Sequence, residues 1–287
     1  MSITVLAPAK VNLGLAVIAR RGDGYHELET IMAKLSLADD VTVELTANGE
    51  VYTETTFDPA LPEGSRQVPA SEANICSKAA TEYLKQAGSS HGATIRLHKR
   101  IPTGAGLAGG SADAAATIRA LHELLGADVH IHALAAQLGS DVPFITSDFP
   151  VALARGRGER LRALPGPIPQ LHLVLINPGF EISAQFAYEA LVGFSPRLDV
   201  AGTVEALNGG AAPKWRNALQ PGIFRHHPAL RTWQRTLQDA TLLSPLLSGS
   251  GPTLFGLAHS ADHAAEVAAT LRAAHPELWV QAAHTIT

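Results

Sequence analysis

The chain has 287 residues, 46 % of them hydrophobic and 17 % charged, with a formal net charge of −4. That content suffices for one large core or two modest ones, and the mild acidity excludes nucleic acid and anionic membrane as main partners. Cys76 is the single cysteine and the 13 histidines are scattered, which rules out a disulfide and any cysteine-built metal cage.

Residues 3–18 read as strands. Val11, Leu13, Leu15 and Val17 recur at period two, which sets Lys10, Asn12 and Gly14 together on the opposite face. The cluster Arg20–Gly24 marks a turn before Tyr25, His26 and another strand-like run, and residues 40–46 alternate again. Residues 47–71 are polar and rich in Thr, Glu and Pro, the pattern of a long, mobile connection. A helix is expected over 74–86, ending near Gly88, and a strand over 93–98. The start of the chain lacks a basic leader with an apolar stretch behind it, and the run 171–176 is far too short to span a bilayer. Both point to a cytoplasmic protein.

Residues 101–116, Ile-Pro-Thr-Gly-Ala-Gly-Leu-Ala-Gly-Gly-Ser-Ala-Asp-Ala-Ala-Ala, carry the strongest chemical signal. Gly104, Gly106, Gly109 and Gly110 let backbone approach a bound group closely, and the helix former behind them, with Ser111 as its cap, runs from about Ala112 to Leu125. Unpaired amides at a helix start carry partial positive charge, so the loop is a socket for phosphate oxygens. Gly104–Gly109 also fits G-x-G-x-x-G, but the dinucleotide reading needs an acid at the end of a second strand, and Glu123 falls inside the helix. No G-x-x-x-x-G-K-[ST] occurs, so this is not a P-loop.

Farther on, a helix is expected over 131–138, broken at Gly139–Pro143. The Arg155–Gly158 loop followed by Pro165–Pro169 is the best candidate for a domain junction. Beyond it come a strand at 171–176, helices near 186–192 and 228–239, and a second glycine turn at 247–251. A strand at 253–257, a helix at 261–274 and a strand at 279–283 complete the pattern. His226 and His227 read as a solvated loop. Alternating strands and helices make the chain mixed α/β.

Three separated segments, Ala7–Leu13, Pro102–Ala112 and Leu247–Thr253, resemble the three motifs of the GHMP small-molecule kinase superfamily. Within it, Gly22–Glu27 and Leu138–Pro143 resemble the members whose acceptor alcohol carries a cytidine diphosphate. The resemblance spans nearly the whole chain; Ala105 and Ala108 stand where glycine may also occur, and 47–71 match nothing. It implies an α/β (α+β) two-domain GHMP kinase fold, with a ribosomal protein S5 domain 2-like ATP-binding domain over 1–163. A ferredoxin-like substrate-side domain would cover 164–287. It further implies ATP as co-substrate, Mg2+, and phosphorylation of the 2-hydroxyl of a cytidine diphosphate-linked methylerythritol for isoprenoid precursors by the non-mevalonate route. The small molecule would be the partner, with no nucleic acid or membrane, in a monomer or a homodimer.

Residue by residue, the resemblance makes Asp141 the catalytic base and Lys10 the cation beside it. On chemistry alone Asp141 is equally a turn-stabilising aspartate and Lys10 a solvated strand lysine. Pro102, Thr103, Gly104, Ala105, Gly106, Leu107, Ala108, Gly109, Gly110, Ser111 and Ala112 would bind ATP. Asn74 would line the adenine pocket or cap its helix, or do both. Asn12, Gly249, Ser250 and Gly251 would flank the acceptor. Tyr25 would stack on the cytosine, His26 would bond its polar edge, and Tyr188 would close the sandwich; packing is the alternative for all three. No ligand set for magnesium is identified; Asp141 and Asp113 are candidates, and Ser111 would touch the metal or the β-phosphate. A homoserine, mevalonate or sugar kinase of the same superfamily, or a non-catalytic ligand-binding relative, remain as other readings.

Overall fold

The computed structural model describes residues Met1–Thr287. In chain order the elements are β1 (Ser2–Arg20), β2 (His26–Thr46), β3 (Val51–Phe57), α1 (Ile75–Gln86), β4 (Gly92–Lys99), α2 (Gly109–Leu125), α3 (Ile131–Leu138), α4 (Val142–Thr146), β5 (Val151–Gly156) and β6 (Arg160–Arg162). They continue as β7 (His172–Asn177), α5 (Ala184–Glu189), α6 (Val200–Asn208), α7 (Gln220–His226), α8 (Ala229–Asp239), β8 (Leu243–Leu247), β9 (Leu254–Ala258), α9 (Ala261–Ala274) and β10 (Trp279–His284).

Two sheets divide the strands. The first has the order β3-β4-β2-β5-β6 with β1 also paired to β2, and the second has the order β10-β7-β9-β8. The second is antiparallel throughout, and its β-α-β-β-α-β succession gives the ferredoxin-like topology. Apolar residues facing both ways along the strands produce four layers. Tyr83, Ile118, Leu121 and Phe144 of the first helical layer pack on Val43, Ile95 and Leu97. Between the sheets, Val11, Leu13, Ile31 and Leu35 meet Leu173, Leu175, Phe255 and Leu257. Outside the second sheet, Leu230 and Leu237 of α8 and Val267 and Leu271 of α9 cover Val174, Ile176 and Leu254. No helix is long and apolar enough to cross a membrane.

The β1–β2 hairpin positions the site. Its register shifts between Pro8 and Lys10, between Asn12 and Gly14, and between Val17 and Ala19. Bulges re-aim side chains. Lys10 and Asn12 still share a face, bonded to each other at 2.7 Å. Gly14 does not join them: past the bulge, a Cβ on it would meet Leu198 at 3.3 Å.

The structure corrects other expectations. Residues 47–71 are no free connection: β3 runs parallel to β4 from Val51 to Phe57, and Thr53 and Ser77 share a hydroxyl hydrogen bond of 2.7 Å. Its alternating threonines are β-formers that suit a half-buried strand. Ser111 does not cap α2, because the helix begins at Gly109 behind Ala108, which holds a left-handed φ of 57°. Arg155 and Gly156 end β5, paired to β2, so the Arg-Gly segment is a hairpin turn and not a linker. His226 ends α7, and His227 stacks on Phe180 with centroids 5.2 Å apart, because Phe180 and Phe186 offer rings to lean on. The structure adds β5, β6, β8, α4, α6 and α7, which the sequence pattern does not announce.

Candidate active site

The glycine loop is rigid. Gly104 (φ 61°), Gly106 (φ 75°) and Ala108 all hold left-handed backbone, a conformation costly to any residue but glycine. The second glycine turn presses directly on it. Ser248 donates its hydroxyl to the Gly106 carbonyl at 3.0 Å, Thr253 N–H donates to the Ala105 carbonyl at 3.2 Å, and a Cβ on Gly106 would lie 2.2 Å from the Ser248 carbonyl oxygen. The first amides of α2 are left without intrahelical acceptors and face the cleft through Gly109, Gly110 and Ser111.

Lys10 stands beside this loop. Its ammonium donates to Asn12 Oδ1 at 2.7 Å and to the Gly106 carbonyl at 3.3 Å, and lies 3.5 Å from Asp141 Oδ2. Lys10 is only 4 % exposed, whereas the Asp141 side chain keeps 33 % of its surface open to the cavity. Asn12 is held in turn by Thr30, whose hydroxyl receives its amide at 2.8 Å and donates to the Gly14 carbonyl at 2.6 Å. Every donor of Lys10 therefore has a fixed direction, and the carboxylate it faces is the reachable member of the pair. Gly249 and Ser250 complete this end of a cavity of about 540 Å³.

That cavity adjoins a second lobe of about 740 Å³, lined by Tyr25, His26 and Tyr188. Tyr188 and His26 stack on each other, centroids 5.0 Å apart and planes 12° apart. Tyr25 is 54 % exposed and carries the Arg157 guanidinium over its ring at 5.0 Å. Burial, and then the charge of Arg20, hold the His26 imidazole below its ordinary pKa, which favours its neutral form. Burial and the nearby Asp141 carboxylate push the Tyr188 phenol up. The turn beneath is braced by Arg21, which pairs with Asp23 at 2.9 Å and Glu27 at 3.0 Å.

Not every expected residue reaches the cleft. Pro102, Leu107 and Ala112 turn their side chains into the interior, as small and apolar groups flanking a loop do, so only their backbones remain for a ligand. Asn74 caps α1, its Oδ1 accepting the Cys76 N–H at 2.9 Å, which leaves only its amide nitrogen for a base. Gly251 packs against Leu247 and spends its amide on the Ser248 carbonyl at 2.8 Å. Asp113 is sealed in the interior, where Lys99 binds both it and Asp39. It cannot face a cleft-bound metal. Asp39 also accepts the N–H groups of Arg100 and Ile101, so it is the better-supported carboxylate of the two. Desolvation, and then the Asp39 charge, raise the Asp113 carboxyl to about 7. No group of three or more His, Cys, Asp or Glu side chains could hold a metal.

Sequence reasoning missed Thr30, Ser140, Arg157 and Ser183, which also line the cavity. Thr30 lies across from Leu15 and meets Asn12 only through the bulge between Asn12 and Gly14, which no sequence signal announces. The Arg-Gly-Arg-Gly segment reads from sequence as part of a domain junction, which conceals Arg157.

A socket of backbone amides, a fixed lysine and an open aspartate in one cleft, on a four-layer fold of two sheets, are the features of a small-molecule kinase of the GHMP type. Residues 74–148 match the GHMP kinases N terminal domain and residues 200–277 the GHMP kinases C terminal domain. The chain is 43 % identical over 270 residues to the 4-diphosphocytidyl-2-C-methyl-D-erythritol kinase of Thermus thermophilus, covering 93 % of this chain and 92 % of that protein. It is 42 % identical over 284 residues to the kinase of the same name from Deinococcus radiodurans, covering 96 % and 91 %. A crystal structure of 4-(cytidine 5'-diphospho)-2C-methyl-D-erythritol kinase superposes with a TM-score of 0.83 at 41 % identity, covering 99 % of this chain and all of that one. The chain belongs to the 4-diphosphocytidyl-2-C-methyl-D-erythritol kinase family within the GHMP kinases.

Proposed function

We propose that Asp141 and Lys10 perform the family's reaction in this chain, the transfer of the γ-phosphoryl group of ATP to the 2-hydroxyl of 4-diphosphocytidyl-2-C-methyl-D-erythritol. The product is the 2-phosphate, an isoprenoid precursor of the non-mevalonate pathway. One observation carries the assignment of roles: the only carboxylate that lines the cavity of the glycine loop lies 3.5 Å from a buried ammonium tied to that same loop. Asp141 accepts the proton of the hydroxyl as its oxygen attacks phosphorus in line. A positioned base of this kind contributes ~10²–10⁴-fold. Lys10 orients Asp141 and offsets the charge that develops on the attacking oxygen and the phosphoryl group. The α2 amides and the Gly104–Ser111 backbone hold the triphosphate, while Asn74, buried as the cap of α1, supports the wall beside them.

The aromatic lobe takes the cytosine. Tyr25 offers an open ring face for the base, neutral His26 bonds its polar edge, and Tyr188 backs His26 while lining the same lobe. Magnesium fits as an ion held mainly by phosphate oxygens and water, since Mg2+ needs only one or two carboxylates from a protein. Ser111 and Asp141 are the side chains that would hold it; when bound it neutralises phosphate charge. The division at 163/164 follows the same logic: the first sheet's strands end at Arg162 and the second's begin at His172.

The test is a phosphotransfer assay offering the purified protein the cytidyl alcohol, homoserine and mevalonate side by side. Turnover of the cytidyl alcohol alone is expected; preference for either other alcohol would displace this reading. Tyr25→Ala should raise KM for the cytidyl alcohol by about ten- to hundredfold, as loss of one stacked base does, and leave KM for ATP near its starting value.

A further inference from the structure

The two lobes of the cleft meet at a waist that shares Leu28, Ser140, Ala184 and Tyr188, and one cation borders both of them: Arg157. Its situation is unlike that of its neighbours in sequence. Arg155 pairs with Glu29 at 2.8 Å and Arg160 is spent on Glu27. The Arg157 guanidinium makes no ion pair or hydrogen bond within the chain, and it rests half-buried on the face of Tyr25. Its backbone is fixed. Gly156 and Gly158 flank it in left-handed conformations, φ 76° and 121°, and its N–H donates to Glu159 Oε2 at 2.7 Å. A Cβ on Gly158 would lie 3.4 Å from the Ser140 carbonyl oxygen, so the hairpin tip packs on the turn that presents Asp141.

The acceptor has a fixed order of groups: base, ribose, two phosphates, then the alcohol. With the base in the aromatic lobe and the alcohol at Asp141, the two phosphates must cross the waist. Resting on the cytidyl reading above, we infer that Arg157 is the diphosphate-binding residue of the acceptor site. Its planar fork of donors suits two adjacent phosphate oxygens. Its place on Tyr25 keeps the guanidinium at the junction of the two lobes. Arg157 thereby measures the distance between base and hydroxyl, and selects acceptors that carry a diphosphate bridge.

Calorimetric titration of cytidine and of cytidine diphosphate tests this, with the ATP site filled by a non-hydrolysable ATP analogue. Arg157→Gln should weaken binding of the diphosphate by about ten- to hundredfold, the usual worth of a hydrogen bond to a charged group, and leave cytidine binding unchanged. Arg157→Lys should recover part of the loss, and KM for the cytidyl alcohol should follow the diphosphate with kcat close to wild type. Equal weakening of both ligands would mean that Arg157 only braces Tyr25, and unchanged diphosphate binding would remove it from the site; either overturns the inference. A wild-type protein that binds neither ligand would instead overturn the cytidyl reading, and this inference with it.

Discussion

Two lysine–aspartate groups stand at the two ends of the glycine loop, Lys10 with Asp141 against Gly106 and Lys99 with Asp39 and Asp113 beneath Gly109. Their residue types are the same and their surroundings are opposite. Lys99, Asp39 and Asp113 are shut off from water, and their hydrogen bonds to one another fasten β2, β4 and α2 together. In the other group only the lysine is buried; the aspartate opens to a cavity that could hold a phosphoryl donor. A buried ion group with no access is a fastening, whereas one with a single open member can exchange a proton with something that enters.

The sharpest break of this comparison is Asp141→Asn. It keeps the shape and removes the base, so kcat should fall by ~10²–10⁴-fold while ATP binding, measured by equilibrium titration, stays close to wild type. Near-normal turnover would take the base role from Asp141 and leave the two groups chemically alike.

Exchanging the lysines sharpens it next. Lys10→Met should lower kcat by ~10²–10³-fold, the scale of losing one preorganised charge-stabilising donor. Thermal stability should drop little, because Asn12 and Gly106, which it leaves, both line a cavity that water can enter. Lys99→Met should do the reverse. It strands two buried carboxylates and should cost about 3–5 kcal/mol of unfolding free energy, while kcat per folded molecule stays within a few-fold. Denaturant melts and active-site-normalised kinetics on both variants decide the matter; the same response from both would erase the distinction.

How much of this was written in the sequence differs between the two groups. The glycine loop, the Lys10–Asn12 face, the Asp141 turn and the Tyr25-His26 pair are local or short-range patterns, and each lines the cleft. Lys99, Asp39 and Asp113 come from β4, β2 and α2; the alternation of Ile95 and Leu97 points Lys99 inward, but no spacing announces that Asp39 and Asp113 will meet it there. Asp113 therefore read as a metal candidate when it is part of the interior. The same limit explains Gly14, moved by a bulge, and β3, whose threonines become a strand only because β4 offers an edge. Arg157 shows the remaining kind of miss: two glycines around an arginine look like a flexible linker, yet here the pairing of β5 with β6 turns them into a fixed tip.

The smallest expected effect concerns the sealed group and is read from pH. Asp39 holds two backbone N–H groups, whereas Asp113 Oδ1 has no partner, so the proton that two carboxylates and one ammonium can share resides on Asp113. Its pKa is raised in the fold, to about 7, above the ordinary carboxylate value that it regains on unfolding. The sign follows from linkage. Below about pH 4 both states carry the proton and the contribution is fully present. Between that point and about pH 7 the fold keeps a proton that the unfolded chain has released, so stability declines as pH rises, and the decline levels off once Asp113 ionises in place. Lys99, held up by the two carboxylates, stays charged throughout that window. Asp113→Asn fixes the neutral form and removes this slope. The variant's Tm should therefore gain on the wild type by a few degrees between pH 5 and pH 8, measured by differential scanning calorimetry. Curves that run parallel across that range would mean that Asp113 is ionised in the fold like an ordinary carboxylate, and that Lys99 neutralises both of its partners.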